Sequence, residues 1–352
     1  MLGGNGNFGA RICRALGEDG DLEVLPAGRG PSSRLRLDLA SPEFALRLKE
    51  ASPRIVVHCA GPFQGQDYHV ARAALAAGAH YIDLADGRDF VARFAESLDS
   101  EARAAGRLAV CGASTLPALS SAVVDELGKH FRKMHEVQIA IAPGQRATRG
   151  AATIAAVLSY CGMPFKWLTD GEWRDARGWQ ELARLRFAGL GRRWAAACDV
   201  PDLELFPARY PGLRTVQFRA ALEFSVQHFA LWLAGGLRSC GFPLPLERWA
   251  GPLDRIASTL DRFGGEKAGM LVSVTGEKTD GTRVRAEWHL TVEATAGPEI
   301  PCFAAVLMIR RMAKAVAAER GAFACMGLLR LADFEPQFSR LGIVTSIEEH
   351  PA

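Results

Sequence analysis

Short apolar runs alternate with amphipathic stretches over the first third of the chain. The runs are typical of strands buried in a parallel sheet, and the stretches carry apolar residues at helical spacing. Because elements that alternate across short loops require parallel pairing and right-handed crossovers, we expect a doubly wound parallel sheet here. The predicted strands are 21–25, 35–39, 54–60, 80–84 and 108–112, and the helices include 68–77 and 89–105.

The pattern changes after Pro117 to that of a mixed domain. Residues 270–278 and 282–294 alternate with period two on either side of Asp280-Gly281, which predicts a β-hairpin. Residues 301–320 are predicted as a helix. We therefore expect an α/β protein with a Rossmann-type domain over 1–118, an α+β domain with a mixed or antiparallel sheet over 119–298, and a C-terminal helical segment over 299–352 that packs back on the core.

A G-x-G-x-x-G motif, Gly4-Asn5-Gly6-Asn7-Phe8-Gly9, follows directly after Met1, Leu2 and Gly3. In a dinucleotide-binding domain the first glycine makes a tight turn after a strand. The second lets the backbone approach a pyrophosphate, and the third lets helix and strand pack closely. The pyrophosphate binds N–H groups at the helix N-terminus, where the helix dipole favours negative charge. The motif predicts such a site, although the strand that should lead into it is almost absent.

The position that distinguishes NADP from NAD is basic. In NAD-binding domains an acidic residue about twenty positions after the glycines binds the ribose 2′-hydroxyl. This chain has Gly28 and Arg29 there, with Ser32 close behind, and a guanidinium can pair with the 2′-phosphate of NADP. We therefore predict NADP as the cofactor, with NAD less favoured. The alternative is that Arg29 and Arg34 are solvated loop charges.

Two further loops follow predicted strands, where ligands bind in doubly wound sheets. Ala60, Gly61, Pro62 and Phe63 are predicted to contact the cofactor, and a purely structural turn is the competing interpretation. Acid–base catalysis requires a group that moves a proton. Tyr81, Asp83 and Asp86 are the candidates, although either Asp could instead cap the helix that starts near Asp89. Hydroxyls that could bind a carboxylate, but are more consistent with helix capping, are Ser114, Thr115, Ser120 and Ser121.

Composition narrows the functional classes. The chain has 352 residues, 49% of them hydrophobic, and a net charge of +3, which excludes a nucleic-acid binder defined by bulk charge. Eight scattered cysteines form no C-x-x-C pair, so we expect no disulfide framework and no metal site, and a cytoplasmic location. The most apolar stretch, 229–237, is too short to span a membrane. The Tyr-x-x-x-Lys, G-x-S-x-G, H-E-x-x-H and Walker motifs are absent.

Taken together, five segments resemble the saccharopine dehydrogenase-like family, in its bacterial NADP-binding branch. They are 3–9, 27–29, 57–63, 77–86 and 112–117. The resemblance implies an NADP-binding Rossmann domain, and a second domain that contributes to a substrate cleft and to a possible homodimer. It also implies oxidoreductase chemistry on an amino- or imino-acid-like, or other carbonyl-derived, small molecule.

The family has about five strand residues before its glycines, so the sequence is expected to be truncated at its N-terminus. The leading hypothesis is an NADP-dependent oxidoreductase, and the alternative is a non-catalytic NADP-binding sensor or regulatory protein. A third possibility is a defective cofactor site that neither binds nor turns over.

Overall fold

The computed structural model describes residues 1–31, 33–149, 151–314 and 319–352. It divides into two compact units, the first formed by Met1–Leu119 with Glu299–Leu329 and the second by Ser120–Pro298 with Arg330–Ala352. The helices are α1 (Asn7–Gly17), α2 (Phe44–Glu50), α3 (His69–Ala76), α4 (Arg88–Ala92), α5 (Phe94–Ala104), α6 (Ser120–Gly128), α7 (Ala151–Tyr160), α8 (Asp202–Arg209), α9 (Ser225–Ser239), α10 (Ala250–Ser258), α11 (Ile300–Ala313) and α12 (Leu331–Arg340). The strands are β1 (Ala27–Gly28), β2 (Leu35–Arg36), β3 (Ile55–His58), β4 (His80–Asp83), β5 (Leu108–Cys111), β6 (Lys133–Ala142), β7 (Pro164–Thr169), β8 (Glu172–Arg177), β9 (Ala183–Phe187), β10 (Gly191–Ala197), β11 (Thr215–Ala221), β12 (Lys267–Glu277), β13 (Arg283–Glu293), β14 (Gly321–Ala324) and β15 (Val344–Pro351).

The first unit contains a parallel sheet that is joined through a single residue. Strands β3, β4, β5 and β14 pair in parallel, and β1 pairs in parallel with β2. Leu2 forms a parallel bridge to Ala27 on one side and to His58 on the other. The strand order is therefore β2-β1-Leu2-β3-β4-β5-β14. This order is that of a doubly wound sheet, and the predicted Rossmann-type α/β fold is confirmed.

Four backbone hydrogen bonds hold the first residues in the sheet. The Leu2 N–H donates to Val57 at 2.8 Å, and the Leu2 carbonyl accepts from Cys59 at 2.9 Å. On the other side, Ala27 donates to the Met1 carbonyl at 2.7 Å and accepts from the Gly3 N–H at 2.9 Å. The Leu2 side chain is 2% exposed. The first strand is thus reduced to residues 1–3, with Leu2 buried at its centre, and this short segment hydrogen-bonds to the neighbouring strands β1 and β3.

A mostly apolar cavity of about 160 Å³ lies in the first unit, beside the start of the chain. Its wall includes Leu22, Val24 and Val56, together with Met1 and Leu2. The predicted strand over 21–25 does not form, and pairing begins only at Ala27. A strand forms only where a neighbouring strand offers hydrogen bonds, and within the part of the chain that the structure describes residues 21–25 have no such neighbour. The Leu25 carbonyl accepts a hydrogen bond from the Met1 amino group instead, at 2.9 Å.

The second unit is built on a nine-stranded, largely antiparallel sheet. Its main path is β15-β13-β12-β6-β11-β10-β9, with β7 on β11 and β8 on β7. The predicted hairpin is confirmed, because β12 and β13 pair antiparallel from Lys267–Glu293 to Glu277–Arg283. One face of the hairpin carries large apolar side chains such as Val272 and Trp288, which are buried. Trp288 lies 6.5 Å from Phe338 of α12, measured between ring centroids.

The C-terminal part differs from the predicted helical segment over 299–352. It contains two helices and two strands, and the two units share it. Helix α11 ends at Ala313, short of the predicted 320, and residues 315–318 lie outside the described residues. Strand β14 pairs with β5, and β15 pairs with β13. Each short segment becomes a strand because an existing sheet edge offers it hydrogen bonds, and periodicity alone cannot reveal that.

We expect an apolar extension before Met1 to stabilise the first unit. In the register of Leu2, a residue placed before Met1 would face Leu25 and Val56. Four β-branched residues there would add ladder hydrogen bonds and fill part of the cavity, which raises the free energy of unfolding by about 1–3 kcal/mol. Denaturant unfolding of the extended and original chains measures this. A Gly-Ser extension of equal length is the control, and equal stability of both extended chains would contradict the prediction.

Candidate functional site

The glycine motif forms a tight loop between Leu2 and α1. Gly3 has φ +73°, a left-handed conformation that favours glycine, and its carbonyl accepts from the Gly6 N–H at 2.9 Å. A Cβ added to Gly9 would lie 2.2 Å from the Gly3 carbonyl oxygen. The third motif glycine therefore lets α1 approach the loop closely, as predicted for a dinucleotide-binding turn.

The outer side of this loop is open. Gly4 and Gly9 are buried, Asn5 and Gly6 are exposed, and Asn7 and Phe8 are half-buried. Gly6 is the N-cap of α1 and, as a glycine, supplies no side-chain cap to the helix. A Cβ on Gly6 would meet only the Gly3 oxygen, at 3.1 Å. A pyrophosphate fits this arrangement, because uncapped N–H groups of a helix start bind anions and Gly6 adds no side chain in the way.

The loop after β1 adjoins the glycine loop. The Asn5 side-chain amide donates to the Ser33 hydroxyl at 3.2 Å, and a Cβ on Gly28 would lie 3.1 Å from the same oxygen. Arg29 is exposed in this loop, whereas Arg34 pairs with Glu23 at 3.6 Å. Ser32 lies outside the described residues. The neighbouring Ser33 was not among the predicted site residues, and its hydroxyl contacts both loops.

The loop after β3 passes directly over the glycine turn. A Cβ on Gly3 would lie 3.0 Å from the Ala60 nitrogen. The Gly61-Pro62 peptide is cis. The Gln66 side-chain amide donates to the carbonyls of Ala60, at 3.0 Å, and Pro62, at 2.6 Å. Gln66 thus fixes the loop after β3. Nothing in the sequence around Gln66 predicted this role.

Phe63 points into the first unit rather than toward solvent. It is 4% exposed. Its ring packs edge-to-face on His58, at 5.0 Å between centroids, and in a tilted arrangement on Phe90, at 5.5 Å. These contacts support the structural alternative for Phe63, while Ala60 lies beside the glycine turn.

Asp83 ties two loops together from inside the unit. Its Oδ1 accepts the backbone N–H of Ala85 at 3.0 Å and of Gly112 at 2.7 Å. The side chain is completely buried, and within the described residues its Oδ2 has no hydrogen-bond partner. Burial raises the pKa of Asp83 to about 6. These contacts make Asp83 a residue that positions the loops after β4 and β5.

Tyr81 is also enclosed. It is 0% exposed, and its hydroxyl lies 3.1 Å from Nδ1 of His58. Burial raises the pKa of Tyr81 and lowers the pKa of His58 to about 4, so both side chains are neutral near pH 7. This buried pair accounts for the polar groups of Tyr81 without a ligand.

Asp86 differs from the other two acid–base candidates because it is exposed. Its Oδ1 accepts from the side-chain amide of Gln64 at 3.3 Å. Although part of its surface meets solvent, protein surrounds Asp86 closely on its other sides, and this desolvation raises its pKa. An accessible carboxylate with a raised pKa at the carboxyl end of β4 can accept or donate a proton.

The hydroxyl candidates separate into two groups. Ser114 and Thr115 are half-buried after β5, at the same sheet edge as Asp86. Ser120 and Ser121 are completely buried in the second unit. The Ser120 hydroxyl donates to Asp202, whose pKa burial raises to about 7. Ser120 therefore satisfies one oxygen of a buried carboxyl group, and its hydroxyl is not available to a ligand.

Within residues 1–31, 33–149, 151–314 and 319–352, no group of three or more His, Cys, Asp or Glu side chains could hold a metal ion. No helix in the same ranges is long and apolar enough to cross a membrane.

Two solved structures, both of dehydrogenases, are similar to this chain in fold. Saccharopine dehydrogenase (L-Glu forming) from Saccharomyces cerevisiae aligns with a TM-score of 0.67 at 11% identity, over 99% of this chain and 98% of that one. An amine dehydrogenase from Mycobacterium smegmatis aligns with a TM-score of 0.50 at 14% identity, over 94% and 95%. This chain shares their fold. No protein-family model and no curated protein sequence matches it.

We expect Asp83→Asn to remove a pH-dependent component of stability. The folded protein raises the pKa of Asp83 from 3.8 to about 6, so it holds this proton more tightly than the unfolded chain does. The contribution is complete below pH 4 and is lost as pH rises toward 6, by about 3 kcal/mol. Asn keeps the acceptor that binds Ala85 and Gly112.

Urea unfolding between pH 4 and 7 measures this difference. Asp89→Asn is the control, since that side chain is exposed. If the variant at Asp83 keeps the full decline of stability between pH 4 and 6, burial of its charge is not the cause.

Proposed function

We propose that the chain is an NADP-dependent oxidoreductase of the saccharopine dehydrogenase-like type. It would transfer a hydride to or from an amino- or imino-acid-like, or other carbonyl-derived, small molecule. The observation that carries the proposal is the convergence of the open glycine loop, the uncapped start of α1 and the loop that bears Arg29. Phosphate groups fit the first two features, and a 2′-phosphate fits the third.

The cofactor would be held by the backbone of Gly4–Gly9 and by the loops after β1 and β3. The uncapped N–H groups of α1 would bind the pyrophosphate, and Arg29 would pair with the 2′-phosphate. Ser33 would fix the relative position of these two loops through Asn5. A nicotinamide bound here supplies the hydride chemistry itself.

Asp86 is the best candidate for the group that moves the substrate proton. It is exposed, and the Gln64 side-chain amide orients it. Asp83 would act as a positioning residue, because it fixes the backbone of Ala85, directly before Asp86, and of Gly112. Tyr81 would support the interior of the same strand.

One observation favours the alternative of an NADP-binding sensor. Tyr81 and Asp83 are both 0% exposed, so neither can touch a substrate in this conformation. The sensor and the enzyme share the cofactor loops and differ only in whether Asp86 acts on a substrate.

We also propose a cytoplasmic location and a homodimer. All eight cysteines are free thiols, which supports a reducing, cytoplasmic environment. The resemblance of the sequence to the saccharopine dehydrogenase-like family supports a role for the second unit in substrate binding and in a homodimer.

Charge reversal at Arg29 should change cofactor preference. Arg29→Glu removes the cation proposed to meet the 2′-phosphate and adds a repulsive carboxylate. We expect NADPH binding to weaken by about 100-fold, from the loss of about 3 kcal/mol, with NADH binding changed less than threefold. Fluorescence titration of both cofactors measures this.

Arg34→Glu is the matched control, because Arg34 is also exposed in the same segment but already pairs with Glu23. Equal affinity of the original chain for NADPH and NADH would refute the assignment of Arg29.

Asp86→Asn separates the enzyme from the sensor. For the enzyme we expect NADPH affinity to stay within twofold, and turnover of the best amine, imine or carbonyl substrate to fall by about 100-fold or more, as for loss of a general acid or base. Asp89→Asn, on the neighbouring helix, should leave both unchanged. Turnover that survives in Asp86→Asn would exclude Asp86 as the proton-transfer group, and NADPH binding with no turnover in the original chain would favour the sensor.

A further inference from the structure

A second cavity lies at the opposite edge of the parallel sheet from the glycine loop. Its volume is about 280 Å³. Arg54, Arg107 and Arg320 line it, and each directly precedes a strand of the sheet, β3, β5 and β14 respectively. His80, the first residue of β4, lines it as well. Parallel strands all begin on the same side of the sheet. The basic residues at the starts of four adjacent strands, β3, β4, β5 and β14, therefore lie in a row.

The backbone and two turns hold this row in place. The Arg107 Nε donates to the Gly78 carbonyl, and a Cβ on Gly78 would lie 3.8 Å from Nη2 of Arg107. A Cβ on Gly106 would lie 3.8 Å from Nη1 of Arg320. The Arg107 carbonyl accepts from Gly321 at 3.0 Å. The guanidinium groups of Arg107 and Arg320 therefore lie against the turns at Gly78 and Gly106, which connect helices to strands.

The cations of this row have no carboxylate partner. Among the described residues, Arg54, Arg107 and Arg320 form no ion pair within 4.0 Å. The one acidic residue in the cavity wall, Glu319, pairs with Arg311 at 3.7 Å. Like charges gathered without a counter-charge repel one another, and a bound anion would relieve that repulsion.

His80 reports the same positive field. Its Nδ1 accepts the Leu108 N–H at 3.0 Å, so its neutral form carries the proton on Nε2. Desolvation lowers the pKa of His80, and the charges of Arg107 and Arg54 lower it further. A neutral imidazole that donates from Nε2, beside three guanidinium groups, is a donor set suited to an oxyanion.

We propose that this cavity is an anion site for a compact dianion of the phosphate class, separate from the cofactor loops. The ligand is either inorganic phosphate or the phosphoryl group of a small phosphomonoester. Arg fits such a ligand because its planar guanidinium binds two oxygens at once. The cavity has room for a phosphoryl group with a small organic part, and the site is built entirely within the first unit.

The test is a calorimetric titration of the whole chain with sulfate, inorganic phosphate and glycerol phosphate at constant ionic strength, with chloride as the screening control. We expect one dianion site that chloride does not fill. Arg320→Gln and Arg54→Gln should each weaken sulfate binding about tenfold or more, because the loss of one charge-assisted hydrogen bond lowers affinity by about that much. Arg320→Lys, which keeps the charge, should lose less.

Arg34→Gln, at the cofactor edge of the same unit, is the matched control and should leave the affinity unchanged. Tighter binding of glycerol phosphate than of phosphate identifies a phosphomonoester as the ligand, and equal binding identifies free phosphate. No dianion binding, or binding that responds to Arg34→Gln but not to Arg54→Gln and Arg320→Gln, would overturn the proposal. Neither result bears on NADPH affinity, which the Arg29 variant tests.

Discussion

Among the described residues, the backbone of Met1, Leu2 and Gly3 alone joins the two parts of the parallel sheet in the first unit. On one side Leu2 bonds to Val57 and Cys59, and on the other Met1 and Gly3 bond to Ala27. The glycine turn begins at the end of this short segment, so its position depends on both sets of bonds. The loops after β1 and β3 reach the turn from opposite sides, and the segment sets the distance between them.

The fold could be predicted from sequence because its signals are local. The spacing of the glycines at 4, 6 and 9 is a signal of a tight phosphate-binding turn, and Asp280-Gly281 is a signal of a hairpin turn; both can be read from a few neighbouring residues. The alternation of strands and helices fixed the parallel arrangement in the same way. The strand predicted over 21–25 failed because a strand needs a partner, and pairing is a property of the whole sheet.

The residues of the candidate site were harder to predict, because burial determines which of the candidate side chains can reach a ligand. Tyr81 and Asp83 lie in the strand predicted over 80–84, and Asp86 lies in the loop that follows it, but the sequence does not show which of the three side chains is buried. In the structure the first two face the interior and bond to His58 and to two backbone amides, whereas Asp86 meets solvent. A strand of period two sends neighbouring side chains to opposite faces, but only tertiary packing determines whether a face is covered.

The position of the Met1 amino group has a practical consequence. It is largely enclosed, donates to the Leu25 carbonyl at 2.9 Å, and has a pKa lowered by desolvation. A lowered pKa keeps more of the amine in its neutral, nucleophilic form at neutral pH, while enclosure keeps reagents away. The rate at which an acylating reagent labels this amine therefore measures how often the centre of the parallel sheet opens, which makes the first atom of the chain an intrinsic reporter of local unfolding.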